Sequence, residues 1–416
     1  MQIMTENTNQ MSKKLWDTPW KYKESLLINL ALLISGFALE FVLWEYKITL
    51  PAWPVNLYLI IGLVFALGMS SKFSNKRITS FLGGVPAAVT SISTVMFLVL
   101  LMGFIPQYRQ EGWIQNSGLT HLKNSWPYLF SAFYLLIVLG HAIFRRLNKF
   151  SWKNVGFFLN HAGLWIVIAT ASLGAADLKK YDMKLVIDRA IFYADDEDGI
   201  QHQLPFAIKL LEFDIEEYQP SLGIIHNQSA KLVTKKGDKL FDVDQGNKFS
   251  FQGWEFEVMQ FIPEARFKDG IYEPSTIMGA TPAVKLRAIN ATLGIDKTGW
   301  TGAGNFIYQT TLMQLDENLS IAMTIPRPKE FSSKVRIFKT TQEYQDAEII
   351  VNKPIKAYGY KIYQVGYDES RGKWSNMSAV QLVQDPWLPA VYVGIFMILA
   401  GSLYLALSGR SKTTKD

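Results

Sequence analysis

Six long stretches of the chain carry almost no charge: 25–44, 55–71, 81–105, 127–144, 155–176 and 387–407. Each is long enough to cross the ~30 Å hydrocarbon layer of a bilayer at about 1.5 Å per residue. The pattern predicts an α-helical polytopic membrane protein and excludes a soluble enzyme, a fibrous protein and a disordered chain. The first run is too long for a signal-peptide core, and no small-residue cleavage site leads from it into a soluble domain. It reads as a retained span.

Basic residues sort the loops into two sets. One set holds fourteen: Lys13, Lys14, Lys21, Lys23, Lys72, Lys76, Arg77, Arg145, Arg146, Lys149, Lys153, Arg410, Lys412 and Lys415. The opposite short loops hold only Lys47, Arg109 and Lys123. The positive-inside rule then places both termini in the cytoplasm and the long segment 178–385 outside it. That segment has 25 Lys and Arg against 28 Asp and Glu, whereas the rest of the chain has 17 against 8. The net charge of +6 therefore reflects orientation in a membrane and gives no sign of a nucleic-acid surface. The domains expected are a membrane part over 1–177, an extracytoplasmic part over 178–385, and a closing helix with a tail over 386–416.

Within 178–385 the periodicity shortens to two. Runs such as 183–188, 205–215, 249–261, 284–289, 319–325, 334–338, 348–351, 358–365 and 377–383 alternate apolar and polar residues. Gly, Pro, Asn and Asp interrupt them, so they read as strands. About nine strands predict a sandwich-like or barrel-like domain rich in β-structure. The glycine-rich run 294–305 (GIDKTGWTGAGN) lacks the P-loop spacing and reads as a flexible connection. The pairs Asp195–Asp198 and Glu216–Glu217 read as solvated turns, and His202 and His226 lie beside turn-like sequence. No H-E-x-x-H, G-x-S-x-G or P-loop motif occurs, so no catalytic residue is assigned. The chain has no cysteine, which excludes disulfides, thiolate metal sites and thiol chemistry of its own.

Two histidines lie inside apolar runs, His141 in VLGHAIFRR and His161 in FLNHAGLWIVIA. Ionisable groups at such depth are rare and usually purposeful. A neutral imidazole there suits a haem iron, a proton relay or a buried hydrogen bond. His161 follows Lys153 by about 12 Å of helix, and His141 precedes Arg145 by about 6 Å. Both fall in the cytoplasmic half of neighbouring antiparallel helices, so one haem held by both is geometrically open. Leu164 and Trp165 share the His161 face at helical spacing and offer a haem-packing wall, though plain helix packing uses the same stripe. Glu40 and Glu45, near the outer end of the first run, read as facing water or another helix.

Several segments in order along the chain resemble the ResB/CcsB family of cytochrome c biogenesis proteins, in its unfused, Bacteroidetes-type form. They are 19–25 (PWKYKES), 158–174 (FLNHAGLWIVIATASLG) followed by Asp177, and 204–218 (LPFAIKLLEFDIEEY). They continue with 328–337 (PKEFSSKVRI), 351–368 (VNKPIKAYGYKIYQVGYD) and 385–401 (DPWLPAVYVGIFMILAG). The resemblance implies a System II subunit that works with a CcsA/ResC-type membrane protein. Together the pair carries haem b across the membrane and presents it for thioether attachment to the C-x-x-C-H thiols of apocytochrome c. By its N-H-x-G-L-W setting, His161 corresponds to the family's transmembrane axial ligand of the haem iron, and the opposite ligand belongs to the partner. The tryptophan-rich W-W-D motif is a CcsA feature and is absent here, the twelve tryptophans being dispersed. The expected protein is then a non-autonomous subunit of a holocytochrome c synthase, with a separate thioredoxin-like protein keeping the thiols reduced. Two other readings of the same residues are a b-type cytochrome with His141 and His161 on one haem, and a membrane-anchored assembly module without a cofactor.

Overall fold

The computed structural model describes residues 16, 18–43, 46, 48–73, 76–107, 113–233, 240–340 and 342–409. Glu45, the end of the first run at Trp44, and Lys13, Lys14, Lys47, Arg109, Arg410, Lys412 and Lys415 of the charge pattern lie outside the described residues. The chain divides into two compact units, a helical one of Met1–Leu178 with Asp385–Asp416 and a β unit of Lys179–Gln384.

The helical unit contains α1 (Tyr22–Val42), α2 (Val55–Phe73), α3 (Lys76–Leu82), α4 (Val85–Phe104), α5 (Trp113–Asn116), α6 (Trp126–Leu147), α7 (Val155–Leu173) and α8 (Leu388–Gly409). Six of the described helices are long and apolar enough to cross a membrane. Proline stands in the first turn of α4 and of α6, where its missing N–H has no partner to lose. The helix α6 lies against α1, α2, α4 and α7 and is the hub of the unit. Some polar side chains within these apolar helices are paired across helices. Ser25 and Asn29 of α1 meet Thr90 of α4 at 2.6 and 3.0 Å. Such bonds matter in an apolar surrounding because no water replaces them.

An eight-stranded antiparallel sheet dominates the β unit. Its order is Tyr344–Ile350, Pro328–Phe338, Gln201–Glu217, Ala190–Asp195, Lys179–Val186, Met377–Gln384, Tyr360–Tyr367, Ile355–Ala357. The edge strands approach each other, so the sheet nearly closes into a barrel. Ile208, Leu210, Val335, Ile337, Val380 and Leu382 fill its interior. Along Gln201–Glu217 the buried positions are 204, 206, 208 and 210, then 213 and 215. The switch from even to odd falls where the pairing with Pro328–Phe338 slips by one residue, between Lys334 opposite Glu212 and Val335 opposite Leu210. A bulge of this kind moves later side chains to the other face and keeps both halves of a long strand facing one core.

A five-stranded and a four-stranded sheet share a second core around Trp254, Phe256, Leu286, Leu222, Leu315 and Ile321. Both architectures expected from the sequence, barrel-like and sandwich-like, therefore occur in one unit. Two sequence expectations are corrected. The run 249–261 is not one strand but a hairpin of Lys248–Phe251 and Trp254–Lys268. Gln252 and Gly253 take φ of 47° and 82° at its turn, the twist that two-residue hairpins require. The glycine-rich run is not a flexible connection either, because Ile295–Gly302 pairs along its whole length with Thr281–Asn290. Its glycines admit close neighbours: a Cβ on Gly302 would run into the Tyr272 hydroxyl, and one on Gly304 would stand 2.7 Å from Thr310 N.

Candidate functional site

In α7 the half-buried His161 donates from Nδ1 to the Phe157 carbonyl at 3.0 Å. A carbonyl only accepts, so this bond fixes the tautomer and leaves the Nε2 lone pair available to an electrophile. Among the described residues no side chain takes that position. The imidazole stacks on the Phe157 ring, centroids 3.7 Å apart, and the Arg146 guanidinium lies 3.8 Å from the centre of the same ring. A ring oriented by a backbone carbonyl with its far nitrogen free is the form in which histidine binds metals.

His141 differs. It is buried in α6, donates from Nδ1 to the Ile137 carbonyl at 2.8 Å, and meets Ser70 Oγ of α2 at 3.0 Å through Nε2. Both ring nitrogens are engaged, and the residue ties α6 to α2. Trp165 is buried too. Its indole donates to the Leu136 carbonyl at 3.0 Å, and its ring joins Leu67, Leu135, Leu136 and Leu139. Leu164 packs on that same cluster. Among the described residues, no group of three or more His, Asp or Glu side chains is arranged to hold a metal ion. His161 is thus a single donor, suited to one axial position of a metal whose other ligands come from elsewhere.

The helix that carries His161 is fixed by glycines. A Cβ on Gly163 would lie 2.6 Å from the Gly394 carbonyl of α8, and one on Gly394 2.7 Å from the Gly163 carbonyl. One turn earlier in α7, Asn160 Oδ1 accepts from Ser402 Oγ at 3.1 Å, beside Gly401. Small residues let two apolar helices approach to backbone contact, where packing and polar pairs replace the missing hydrophobic drive.

At the other end of α7, Asp177 gathers donors from distant segments. Its Oδ1 accepts from Trp53 N at 2.8 Å, and its Oδ2 from Asn56 Nδ2 at 2.7 Å and Trp387 Nε1 at 2.6 Å. Asp385 caps α8 by accepting from the N–H groups of Trp387 and Leu388, each at 3.0 Å. The two points where the chain leaves and re-enters the helical unit are therefore tied together through one carboxylate. Trp387→Phe keeps the ring and removes the donor. The expected loss is about 1.5–3 kcal/mol, as for other bonds to charged groups, read as a lowered thermal midpoint in detergent. An unchanged midpoint would mean that the carboxylate is satisfied without Trp387.

One partner escaped the sequence reading. Of the two positions read for Glu40, it takes the one against another helix and not the one in water. It is buried, accepting from His121 Nε2 at 3.0 Å and from Trp126 N, at the start of α6, at 2.9 Å. A carboxylate at a helix N-terminus is favoured by the free N–H groups there. His121 sits in a connection with no apolar pattern, so nothing in the sequence singled it out. In the β unit His202 pairs with Asp196 at 2.8 Å, and His226 Nδ1 accepts from Gln228 N at 3.3 Å. Asp195–Asp198 does form a turn, with Asp196 accepting from the Asp198 and Ile200 N–H groups. Glu216 and Glu217 instead end a paired strand, Glu216 bound to Lys329 and Glu217 half-buried.

A polar cluster lies in the barrel interior. Ser333 Oγ donates to Gln364 Oε1 at 2.7 Å and lies 2.7 Å from Ser378 Oγ. Gln364 Nε2 donates to Ser378 Oγ and the Gly366 carbonyl at 2.9 and 3.0 Å. Ser333 belongs to the F-S-S run and Gln364 to G-Y-K-I-Y-Q, two segments noted in the sequence. Residues 313–380, which contain this whole cluster, match the model of the ResB-like family. No curated protein matches the chain.

Proposed function

We propose, on the premise that this is a ResB/CcsB-family protein by its match over residues 313–380, that it is a haem-handling subunit of a System II cytochrome c synthase. The family assigns it to cytochrome c biogenesis, and its six apolar helices point to a membrane protein. The reading goes further in three respects. The protein sits in the bacterial inner membrane with both termini in the cytoplasm and the β unit in the periplasm. It works with a CcsA/ResC-type partner and an apocytochrome c bearing C-x-x-C-H. Haem b is its cargo, and His161 supplies one axial ligand in transit.

The observation that carries this reading is the His161 imidazole, its Nδ1–H committed to Phe157 and its Nε2 free. A single protein ligand also fits a cargo role. One donor from each of two proteins makes a site that opens when the helices separate. Two donors on one rigid helix pair would retain the iron. His141 has no free nitrogen to be that second donor, which weighs against a one-chain bis-histidine cytochrome. Reduction of the apocytochrome thiols falls to a thioredoxin-like protein, since this chain has no cysteine.

The test is an optical spectrum of the protein purified with its CcsA-type partner. His161→Ala is expected to lose the Soret band and regain it with added imidazole. His141→Ala is expected to keep the band while melting at a lower temperature, because the α2–α6 bond is gone. An undiminished band in His161→Ala would overturn the ligand role. Loss of the band in both variants, with no partner present, would restore the bis-histidine alternative.

A further inference from the structure

The β unit holds a cleft of about 700 Å³, bounded by Thr281 and Pro282, the loop 304–310, residues 325–328 and the turn around Gly372–Trp374. Phe306, Tyr308, Tyr367 and Trp374 line it, together with the carboxylates of Glu217 and Glu369. The cations at this place are already engaged. Lys373 Nζ lies 2.9 Å from Glu264 Oε1 and 5.3 Å from the centre of the Trp374 ring. Arg371 Nε lies 3.5 Å from Asp368 Oδ2. Neither Glu217 nor Glu369 makes a side-chain hydrogen bond or ion pair with a described residue.

The cleft therefore presents two carboxylates that hold no hydrogen-bonded cation, with aromatic side chains in the same lining. Burial holds the Glu217 carboxyl above the usual carboxylate range; Lys373 opposes the rise and Glu264 adds to it. A desolvated carboxylate of this kind gains most from a cation brought to it, and aromatic faces attract the same charge. A guanidinium or ammonium alone would leave most of the volume empty, since clefts of this size enclose whole small ligands. The exposed Ile325 beside Pro326 gives the remainder an apolar shelf. We propose that this cleft binds an arginine or lysine side chain carried on an extended segment of a partner polypeptide. The inference stands on the cleft alone and does not depend on the haem reading.

The probe is a dye-labelled short peptide with one central arginine, compared with the same peptide containing neutral citrulline. Binding to the full-length protein in detergent is followed by fluorescence anisotropy at low salt. The arginine peptide is expected to bind at least tenfold more tightly than the citrulline peptide. Glu217→Gln should remove about tenfold from the arginine peptide and leave the citrulline peptide unchanged. Glu369→Gln, on an exposed residue, should act in the same direction and serves if the first variant does not fold. Glu317→Gln deletes an equal charge outside the cleft and should change nothing. Equal affinity for the two peptides, equal weakening by Glu317→Gln, or arginine amide binding as well as the peptide would each overturn the proposal.

Discussion

Gly394→Leu is expected to separate α7 from α8. The Gly394 Cα faces the Gly163 carbonyl, and even a Cβ there would lie 2.7 Å from that oxygen and from Val167 Cγ2. The obstacle is backbone, so no side-chain rotation relieves it, and a leucine adds three further carbons to the clash. Overpacking of a tight contact typically costs about 1–3 kcal/mol where neighbours can shift. Here the only relief is to move one helix, which also breaks the Asn160–Ser402 bond. The absence of cysteine makes the measurement clean. Asn160→Cys with Ser402→Cys, placed where the native side chains stand 3.1 Å apart, should cross-link in the otherwise native protein and fail to do so with Gly394→Leu. Undiminished cross-linking would show that the helices accommodate a large side chain, and that the glycines do not set their approach. Because His161 rides on α7, the same variant should also disturb any ligand held at its Nε2.

The second large effect is expected inside the barrel. Gln364→Leu conserves most of the side-chain volume and removes both the donor to the Gly366 carbonyl and the acceptor for Ser333. Each buried polar group left without a partner costs about 1–3 kcal/mol. Ser333→Ala should cost an amount in the same range. Combining Gln364→Leu with Ser333→Ala and Ser378→Ala should cost less than the sum of the three singles, since no orphaned group remains among them. Denaturant midpoints from far-UV circular dichroism of the full-length protein check this. Strict additivity would mean that the three side chains are satisfied independently and form no network. The outcome bears on function, because these residues lie within the stretch that matches the ResB-like family. On this account the matching segment is held by a structural polar core.

The motif segments explain themselves unevenly. In 351–368, Asn352, Tyr358 and Gly359 take φ of 63°, 47° and 86°, so the asparagine and glycine mark left-handed turn positions that few other residues tolerate. Leu204 and Phe206 of the L-P-F segment are core residues of the barrel. Gly394 and Gly401 of the closing helix are contact points with α7. Each was visible as a pattern, but its reason appears only with its neighbour in place. Trp165 is the converse case. Helical spacing put it on the face of His161, but spacing cannot say which helix covers a residue, and α6 covers this one.

What the sequence determined by itself are the properties that depend on near neighbours along the chain. Uncharged length fixed the six apolar helices, alternation fixed the β-rich segment between the last two, and the absence of cysteine fixed the chemistry the chain lacks. A histidine within an apolar run marked His161 as unusual. The tertiary structure decided everything that turns on residues far apart in sequence. It brought the edges of the sheet near each other and turned the glycine-rich run into a strand because Thr281–Asn290 was there to pair with it. It satisfied both nitrogens of His141 through Ser70 but only one of His161. It also hydrogen-bonded Lys373 to Glu264 and not to Glu217. Hydrogen bonds and charges act over a few ångströms, and a linear pattern does not say which distant groups fall within that reach.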